Sequence, residues 1–231
     1  MNRSHLSHLL LAALLLAPAA VFAQEPEAAP SDSSTRSDFW HDVAGQSGFQ
    51  LALRLGGAFP AGSADKQTGD LSAQLGSQFA LNLDLGGKAN KYVFIGAFFG
   101  AGFGGVGDGL TGCTGCSVKT LRVGPEVLVS ILPDLRINPW VGVGIGFEYS
   151  PIDVAPFSLT QAPYGPEFAH IMFGADYRLN SYFGVGPFFD VSIAEFTTIT
   201  QSSGGTSLTH EIPQKALHEW VQVGVRFVLF P

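Results

Sequence analysis

The chain has 231 residues, of which 46% are hydrophobic and only 13% are charged, and its formal net charge is −7. A soluble globular chain usually carries about 25% charged residues, so this composition argues against an ordinary soluble domain. The acidic balance and the lack of a basic patch exclude nucleic acid as an expected partner, because phosphate binding needs clustered positive charge.

Residues 1–23 have the form of an export signal. Arg3 supplies a short positive region, Leu9 to Ala17 supply an apolar stretch, and Val21 to Ala23 supply a small-residue cleavage site. An uncleaved membrane helix is the disfavoured alternative, because the apolar stretch is short and Pro18 follows it. We therefore predict that the mature protein is exported.

Residues 24–47 are predicted to form a flexible periplasmic segment. The stretch from Gln24 to Ser34 is polar and contains prolines, so it cannot bury a core of its own. Its neighbour Phe39-Trp40 is the one apolar pair before the next segment. The remaining residues, 48–231, are predicted to form a single β-barrel domain.

From Gly48 onward, apolar residues recur with a period of two. The C-terminal stretch is the clearest example, since Val221 and Val223 alternate with Gln222 and Gly224. Alternate side chains of a strand point to opposite faces, so such a row indicates a strand between lipid and a polar interior. Eight segments show the pattern: 49–59, 73–86, 91–104, 118–132, 139–150, 168–179, 182–193 and 220–230.

The connections between these segments alternate in length. Four are long and rich in Gly, Ser, Thr and Pro, at Pro60–Leu71, Gly105–Ser117, Pro151–Glu167 and Thr197–Lys215. Three are short, at Gly87–Asn90, Pro133–Arg136 and Asn180–Ser181. Long outer loops and tight periplasmic turns are typical of bacterial barrels. The predicted fold is all-β, an eight-stranded antiparallel transmembrane up-and-down β-barrel with a periplasmic N-terminus.

Aromatic residues near the segment ends predict two interfacial girdles. The periplasmic set is Tyr92, Trp140, Tyr177, Tyr182 and Phe227, and the outer set is Phe59, Phe103, Tyr149, Phe168 and Trp220.

Two local features compete with this fold. Gly96, Gly100 and Gly104 form a G-x-x-x-G repeat that elsewhere indicates packed membrane helices, but the apolar run is short for a helix of about 20 residues. Pro125 and Pro187 lie inside predicted strands, where each removes a hydrogen-bond donor, and we predict a bulge at each.

The inward face of the barrel carries a predicted charge network. Its members are Arg54, Asp84, Arg122, Glu126, Glu148, His170, Asp176, Arg178, Asp190 and Arg226. An eight-stranded lumen is just wide enough to be filled by side chains, and buried charges must pair or meet water. The favoured interpretation is an ion-paired plug that fixes strand register. The alternative is a narrow polar path, with inward glycines leaving space and Phe94, Phe98 and Phe188 along it.

Cys113 and Cys116 lie in the second long loop. Outside the cytoplasm, a pair at this spacing most simply forms a disulfide that fixes the loop tip. Zinc, haem and redox interpretations are weaker, because no nearby histidine, second cysteine pair or βαβ unit supports them. No metal site and no cofactor are predicted.

These residues resemble the small bacterial outer-membrane β-barrel proteins, a group that includes the OmpA transmembrane domain, OmpX and OmpW. The resemblance covers about residues 48–230 and implies an integral outer-membrane location among lipids and lipopolysaccharide. It also implies a C-terminal signal for the barrel assembly machinery, formed here by Val225, Phe227, Leu229 and Phe230. The chain departs from the pattern in that Pro231 is last and Leu229 stands where an outward aromatic is expected.

The sequence is compatible with three functions for such a barrel. The favoured one is a non-enzymatic barrel that serves envelope integrity or surface interaction through its loops, with an unknown loop partner. The second is a narrow channel or uptake path for small polar or apolar molecules. The third is a lipid-modifying enzyme, which is disfavoured because His170, His210 and His218 belong to no recognisable nucleophile–base motif.

Overall fold

The computed structural model describes residues 47–67, 69–110 and 113–231. The predicted export signal and the predicted flexible segment as far as residue 46 lie outside the described residues. The strands are β1 Gly48–Asp65, β2 Gly69–Asp70, β3 Leu75–Lys88, β4 Val93–Val106, β5 Ser117–Ser130, β6 Ile137–Tyr149, β7 Ile152–Val154, β8 Leu159–Arg178, β9 Phe183–Glu195, β10 Thr198–Ser203, β11 Thr206–Glu211 and β12 Leu217–Leu229.

The described helical elements are short. Helix α1 spans Leu71–Gln74, and two 3₁₀ turns span Asp108–Leu110 and Ala155–Phe157. None of the helices in the described residues has the length and apolar character needed to cross a membrane. The stretch with the G-x-x-x-G repeat forms strand β4, so the helical alternative for it is wrong.

Eight strands form a closed antiparallel ring. The ring pairs β1 with β3, β3 with β4, β4 with β5, β5 with β6, β6 with β8, β8 with β9, β9 with β12, and β12 with β1. The predicted eight-stranded antiparallel barrel is therefore confirmed. We call the end with the three short connections the turn end and the opposite end the loop end.

The two faces of the wall differ as a period of two requires. On β5, the side chains of Arg122 and Glu126 are buried, while those of Val123 and Val127 are exposed. The same exposed row continues around the ring, with Ile95, Phe99, Val143, Ile171, Phe173, Val223 and Val225. A continuous apolar exterior suits a bilayer rather than water, because lipid chains can cover it without loss of hydrogen bonds.

The long connections contain more strand than the sequence predicted. Strand β8 begins at Leu159 rather than at Phe168, and β1 continues to Asp65. The segment predicted as the fourth loop holds the hairpin of β10 and β11, because β10 pairs with the extended end of β8. Ser, Thr and Gln are frequent in this extension, which shows no apolar row, and β10 is paired on both sides, by β8 and by β11.

The prolines inside strands do not form bulges, contrary to the prediction. At Pro125, β5 keeps its register with β4. The pairing of β5 with β6 is interrupted there and resumes at Glu126 in the same register. Pro187 keeps register with β12, and its pairing with β8 is interrupted between Val185 and Phe188 without a shift. A missing N–H thus removes ladder bonds on one side only, and no residue is inserted.

The aromatic girdles are also revised. Most of the predicted girdle residues are exposed, among them Tyr92, Tyr182, Phe59 and Phe103. Two are not, because Trp140 and Trp220 are 2% and 1% exposed and point into the barrel. Both tryptophans lie on the inward parity of their strands, and this parity outweighs their position near a strand end.

Candidate functional site: the lumen and the loop-end sheet

All ten residues of the predicted charge network are buried, with exposed fractions of 7% or less. They lie on strands of the ring and share the inward parity. Two further charged residues, Lys88 and Glu167, and a second histidine, His218, are buried with them.

Arg54 on β1 occupies the centre of the network. Its guanidinium donates to Asp84 Oδ1 from Nε at 3.1 Å and from Nη2 at 2.8 Å, and to Asp190 Oδ2 from Nη1 at 2.9 Å. Glu126 Oε2 lies 3.9 Å from Nη2. One cation thus joins carboxylates of β3, β5 and β9, which is the tight pairing that buried charges require.

A second group of contacts surrounds His170. Its Nδ1 lies 3.5 Å from Glu167 Oε1, and its Nε2 lies 3.4 Å from Asp190 Oδ2. Arg122 Nη1 lies 3.6 Å from the same Glu167 oxygen and donates to Ser192 Oγ at 2.7 Å. The edge of the Phe98 ring packs against the imidazole, with centroids 4.6 Å apart. His170 therefore lies between two carboxylates, although neither contact is a hydrogen bond.

Glu167 was not predicted to be a lumen residue, because the third long loop was predicted to extend as far as Glu167. It lies on β8 beside a register shift, where the pairing with β9 jumps between Glu167 and Ala169. The shift changes the inward parity of the strand, so that both Glu167 and His170 are buried although three positions separate them. A bulge of this kind leaves no signal in a strict period of two.

The turn end of the lumen is filled by stacked side chains. Arg226 pairs with Asp176 and stacks over the Trp140 ring, with its Cζ 4.6 Å from the ring centroid. Arg178 stacks on Phe230 at 4.5 Å, and Lys88 lies over the same ring at 5.7 Å.

The loop end of the lumen contains a hydrogen-bonded group around Glu148. Its Oε1 accepts from Trp220 Nε1 at 3.0 Å and from Ser150 Oγ at 2.9 Å, and its Oε2 lies 3.2 Å from His218 Nε2. The His218 ring packs on Phe196 with centroids 4.2 Å apart. His218, which the sequence analysis named only among the histidines without a catalytic motif, has the same inward parity as Trp220 and is buried.

Apolar clusters lie above and below the central charges around Arg54. The loop-end cluster is formed by Ala58, Ala64, Leu71, Leu75, Ala80, Val118, Ile152, Phe196 and Trp220. The turn-end cluster is formed by Phe94, Leu128, Trp140, Met172 and Phe188. Leu71 comes from α1, so this short helix contributes to the loop-end cluster.

Inward glycines hold aromatic rings instead of leaving open space. A Cβ added at Gly146 would lie 2.9 Å from the Phe98 ring, and one added at Gly174 would lie 2.7 Å from the Trp140 ring. A cavity among Gln78, Arg122 and Trp220 measures about 10 Å³, which is room for about one water molecule. The expectation that glycines widen the lumen is therefore not met at these positions.

The three histidines named for a possible catalytic role lie in different surroundings, since His170 and His218 are buried in the lumen and His210 is exposed. Ser150 donates its hydroxyl to Glu148, the carboxylate that also contacts His218. His210 lies on the exposed strand β11. Among the residues that the structure describes, no group of three or more His, Cys, Asp or Glu is placed to hold a metal ion.

The two remaining predicted sites lie at opposite ends of the barrel. Cys113 and Cys116 form the predicted disulfide beside the start of β5. At the C-terminus, Val225 and Leu229 are exposed on the outward face. Phe230 has the opposite parity, and its ring contacts Lys88 and Arg178 of the lumen.

The loop end carries a sheet that projects from the barrel. Strand β8 has 20 residues, whereas a tilted transmembrane strand needs only about 9–11. Its first residues, Leu159 to Tyr164, pair with β10, and β10 pairs with β11. Hydroxyls match across the hairpin, with Thr200 and Thr209 2.9 Å apart and Ser202 and Ser207 2.8 Å apart.

Comparisons with known proteins give matches among solved structures alone. No protein-family model and no curated protein matches the chain. Neisserial surface protein A is 10% identical with a TM-score of 0.49, over 78% of this chain and 97% of that chain. The outer membrane protein OprG from Pseudomonas aeruginosa is 14% identical with a TM-score of 0.48, over 82% and 100%.

A third match has the same character. The attachment invasion locus protein Ail of Yersinia pestis is 10% identical with a TM-score of 0.38, over 77% of this chain and 97% of that chain. The predicted resemblance to small outer-membrane barrels is thus confirmed as a resemblance. Similarity this low assigns no family, and the fold rests on the ring of strand pairings.

Proposed function

We propose that this protein is a non-enzymatic barrel of the bacterial outer membrane, with a lumen closed by side chains and a loop-end sheet that makes surface contacts. The observation that carries the proposal is the filled lumen. Arg54 bonds both Asp84 and Asp190 at its centre, and an apolar cluster lies on each side of them. A barrel closed in this way has its polar, accessible surface at the loop end.

The same proposal assigns partners to the outer surface. Lipid and lipopolysaccharide chains cover the exposed apolar row, which water would not solvate favourably. During biogenesis the assembly machinery binds the outward residues of β12, with Leu229 as the final outward side chain. Phe230 belongs to the same proposed signal, and in the folded barrel its ring lies over lumen cations.

One observation favours the narrow path as the second candidate. Both carboxylate oxygens of Glu126 and both ring nitrogens of His170 are buried without a hydrogen-bond partner in the structure. Orphaned buried polar atoms of this kind are commonly satisfied by internal water, and a file of such waters would form a polar path.

Ion conductance in a planar bilayer tests the proposal. The refolded mature protein, with Arg122→Ala and Glu126→Ala variants, is inserted after protease protection has confirmed that each is folded. Val127→Ala, an outward neighbour of Glu126, is the matched control. We expect no steady conductance from the wild type. Steady wild-type conductance that changes with Arg122→Ala or Glu126→Ala, but not with Val127→Ala, would establish a path and overturn the closed lumen.

A further inference from the structure

Strand β11 is a free edge at the projecting end of the sheet. It pairs with β10, and among the described strands no other one pairs with it. All six of its residues, Thr206 to Glu211, are exposed. Edge strands of native proteins are usually guarded by lysine, proline or a covering element, and the stretch from Thr206 to His210 has no such guard.

The sequence of this edge is nearly symmetric about Leu208. A hydroxyl residue stands on each side of it, Ser207 before and Thr209 after. Leu208 is the large apolar side chain of the strand and is 67% exposed. Ser207 and Thr209 share the face on which they already bond Ser202 and Thr200 of β10, and Leu208 lies on the other face, opposite Gln201.

We propose that β11 pairs antiparallel with β11 of a second copy of this chain, about a two-fold axis at Leu208. This pairing sets Leu208 against Leu208 and Ser207 against Thr209. On one face, the Ser202–Ser207 pair of one copy then lies beside the Thr209–Thr200 pair of the other copy. The hydroxyls form a row that crosses four strands. Glu211 falls opposite Gly205, so no like charges face one another, which cross-strand pairing would penalise.

The direction of the strands decides where the second copy sits. Strand β11 lies beside β10, and β10 pairs with the wall strand β8, so β11 follows the axis of the wall strands. Two barrels inserted the same way in one membrane carry β11 strands of the same sense. Antiparallel pairing inverts one of them, and the two barrels therefore belong to two facing membranes. The proposed contact is homotypic adhesion between cells, and it rests on the proposed surface role of the loop-end sheet.

Vesicle clustering tests this pairing. Proteoliposomes carry the full mature chain of each variant at equal density. Protease digestion measures the fraction of chains whose loop end faces outwards, and the protein density is normalised to that fraction. Clustering of the vesicles is followed by turbidity. The variants are Leu208→Lys, Leu208→Glu and the matched control Gln201→Lys, which places the same charge on the same face one strand inwards. Folding of each is checked by protease protection of the barrel.

Wild-type and Gln201→Lys vesicles should cluster alike. Leu208→Lys or Leu208→Glu vesicles alone should cluster roughly tenfold more slowly, because like charges then meet across the two-fold axis. Mixing the lysine and glutamate populations should restore clustering. A wild type that does not cluster, an undiminished Leu208→Lys, or a mixture that does not recover would each overturn the proposal.

The vesicle experiment and the conductance experiment can fail independently of each other. A silent barrel that does not cluster overturns the second copy as partner and leaves the closed lumen standing. A barrel that conducts ions overturns the closed lumen, whatever the vesicles do.

Discussion

Polar side chains fill two regions of this molecule, the middle of the lumen and the β10–β11 hairpin, and they are partnered differently. In the lumen, Arg54 bonds Asp84 and Asp190, which are 30 and 136 residues away. In the hairpin, Thr209 bonds Thr200 on the adjacent strand and is still exposed. In the lumen, buried charges on distant strands pair with one another and hold the barrel closed. In the hairpin, the exposed hydroxyls and the free backbone edge of β11 can still form hydrogen bonds with a partner.

The largest predicted effect is in the lumen. Arg54→Ala removes the guanidinium that bonds both Asp84 and Asp190, and leaves Asp84 only Arg226 Nε at 3.7 Å. We expect it to lower the free energy of unfolding by about 3–5 kcal/mol. The measurement is equilibrium urea unfolding of the refolded barrel in detergent. The matched control is Lys91→Ala, which breaks the 2.7 Å bridge to Asp134 at the exposed turn end and should leave the unfolding midpoint unchanged.

A double variant sharpens this result. Removing Asp84 together with Arg54 eliminates one of the orphaned carboxylates, so the double variant should be less destabilised than the sum of the two single variants. Additive losses, or equal effects of Arg54→Ala and Lys91→Ala, would contradict the account of the lumen as an ion-paired closure.

An intermediate effect is expected at the loop-end cluster. Trp220→Phe keeps a ring in the apolar cluster but removes the Nε1–H bond to Glu148 Oε1, which then accepts only from the Ser150 hydroxyl. Loss of this hydrogen bond to a buried carboxylate should lower the free energy of unfolding by about 1–3 kcal/mol. Urea unfolding again measures it, with the exposed Tyr182→Phe as control. A neutral Trp220→Phe would show that water reaches Glu148 and that the loop end of the lumen is open.

The smallest effect is expected in the hairpin. Thr209→Val removes the hydroxyl that meets Thr200 but keeps the β-branched shape, and the free energy of unfolding should fall by less than about 1 kcal/mol. If the loss equalled that of Trp220→Phe, the hairpin hydroxyls would be structural members of the fold, and the contrast between the two regions would fail.

Much of the wall was predictable because lipid on one side and a polar lumen on the other impose a period of two. That period located the strands of the ring, and parity placed Arg54 and Asp190 on the inner face, where the structure has them. The same parity marks Trp220 and His218 as inward, and this signal was available but was outweighed by their nearness to the strand end and the loop.

Other features had no local signal. The choice of Asp190 as partner for Arg54 depends on how a closed ring brings distant strands face to face. Glu167 is buried because a bulge on β8 changes the parity, and the bulge is set by pairing with β6 and β9. The β10–β11 hairpin has Ile199 and Leu208 as its apolar residues, too few for the apolar alternation by which a strand is recognised.

Amide hydrogen exchange of the refolded wild type, as dilute barrels in detergent, tests the contrast between the two regions most directly. If the lumen is closed and the β11 edge is free, amides of β9 and β12 should be protected for hours while the outward-facing amides of Thr206 to Glu211 exchange within seconds. Protection of β11 equal to that of β9 would contradict a free edge, and rapid exchange in β9 and β12 would contradict the closed barrel.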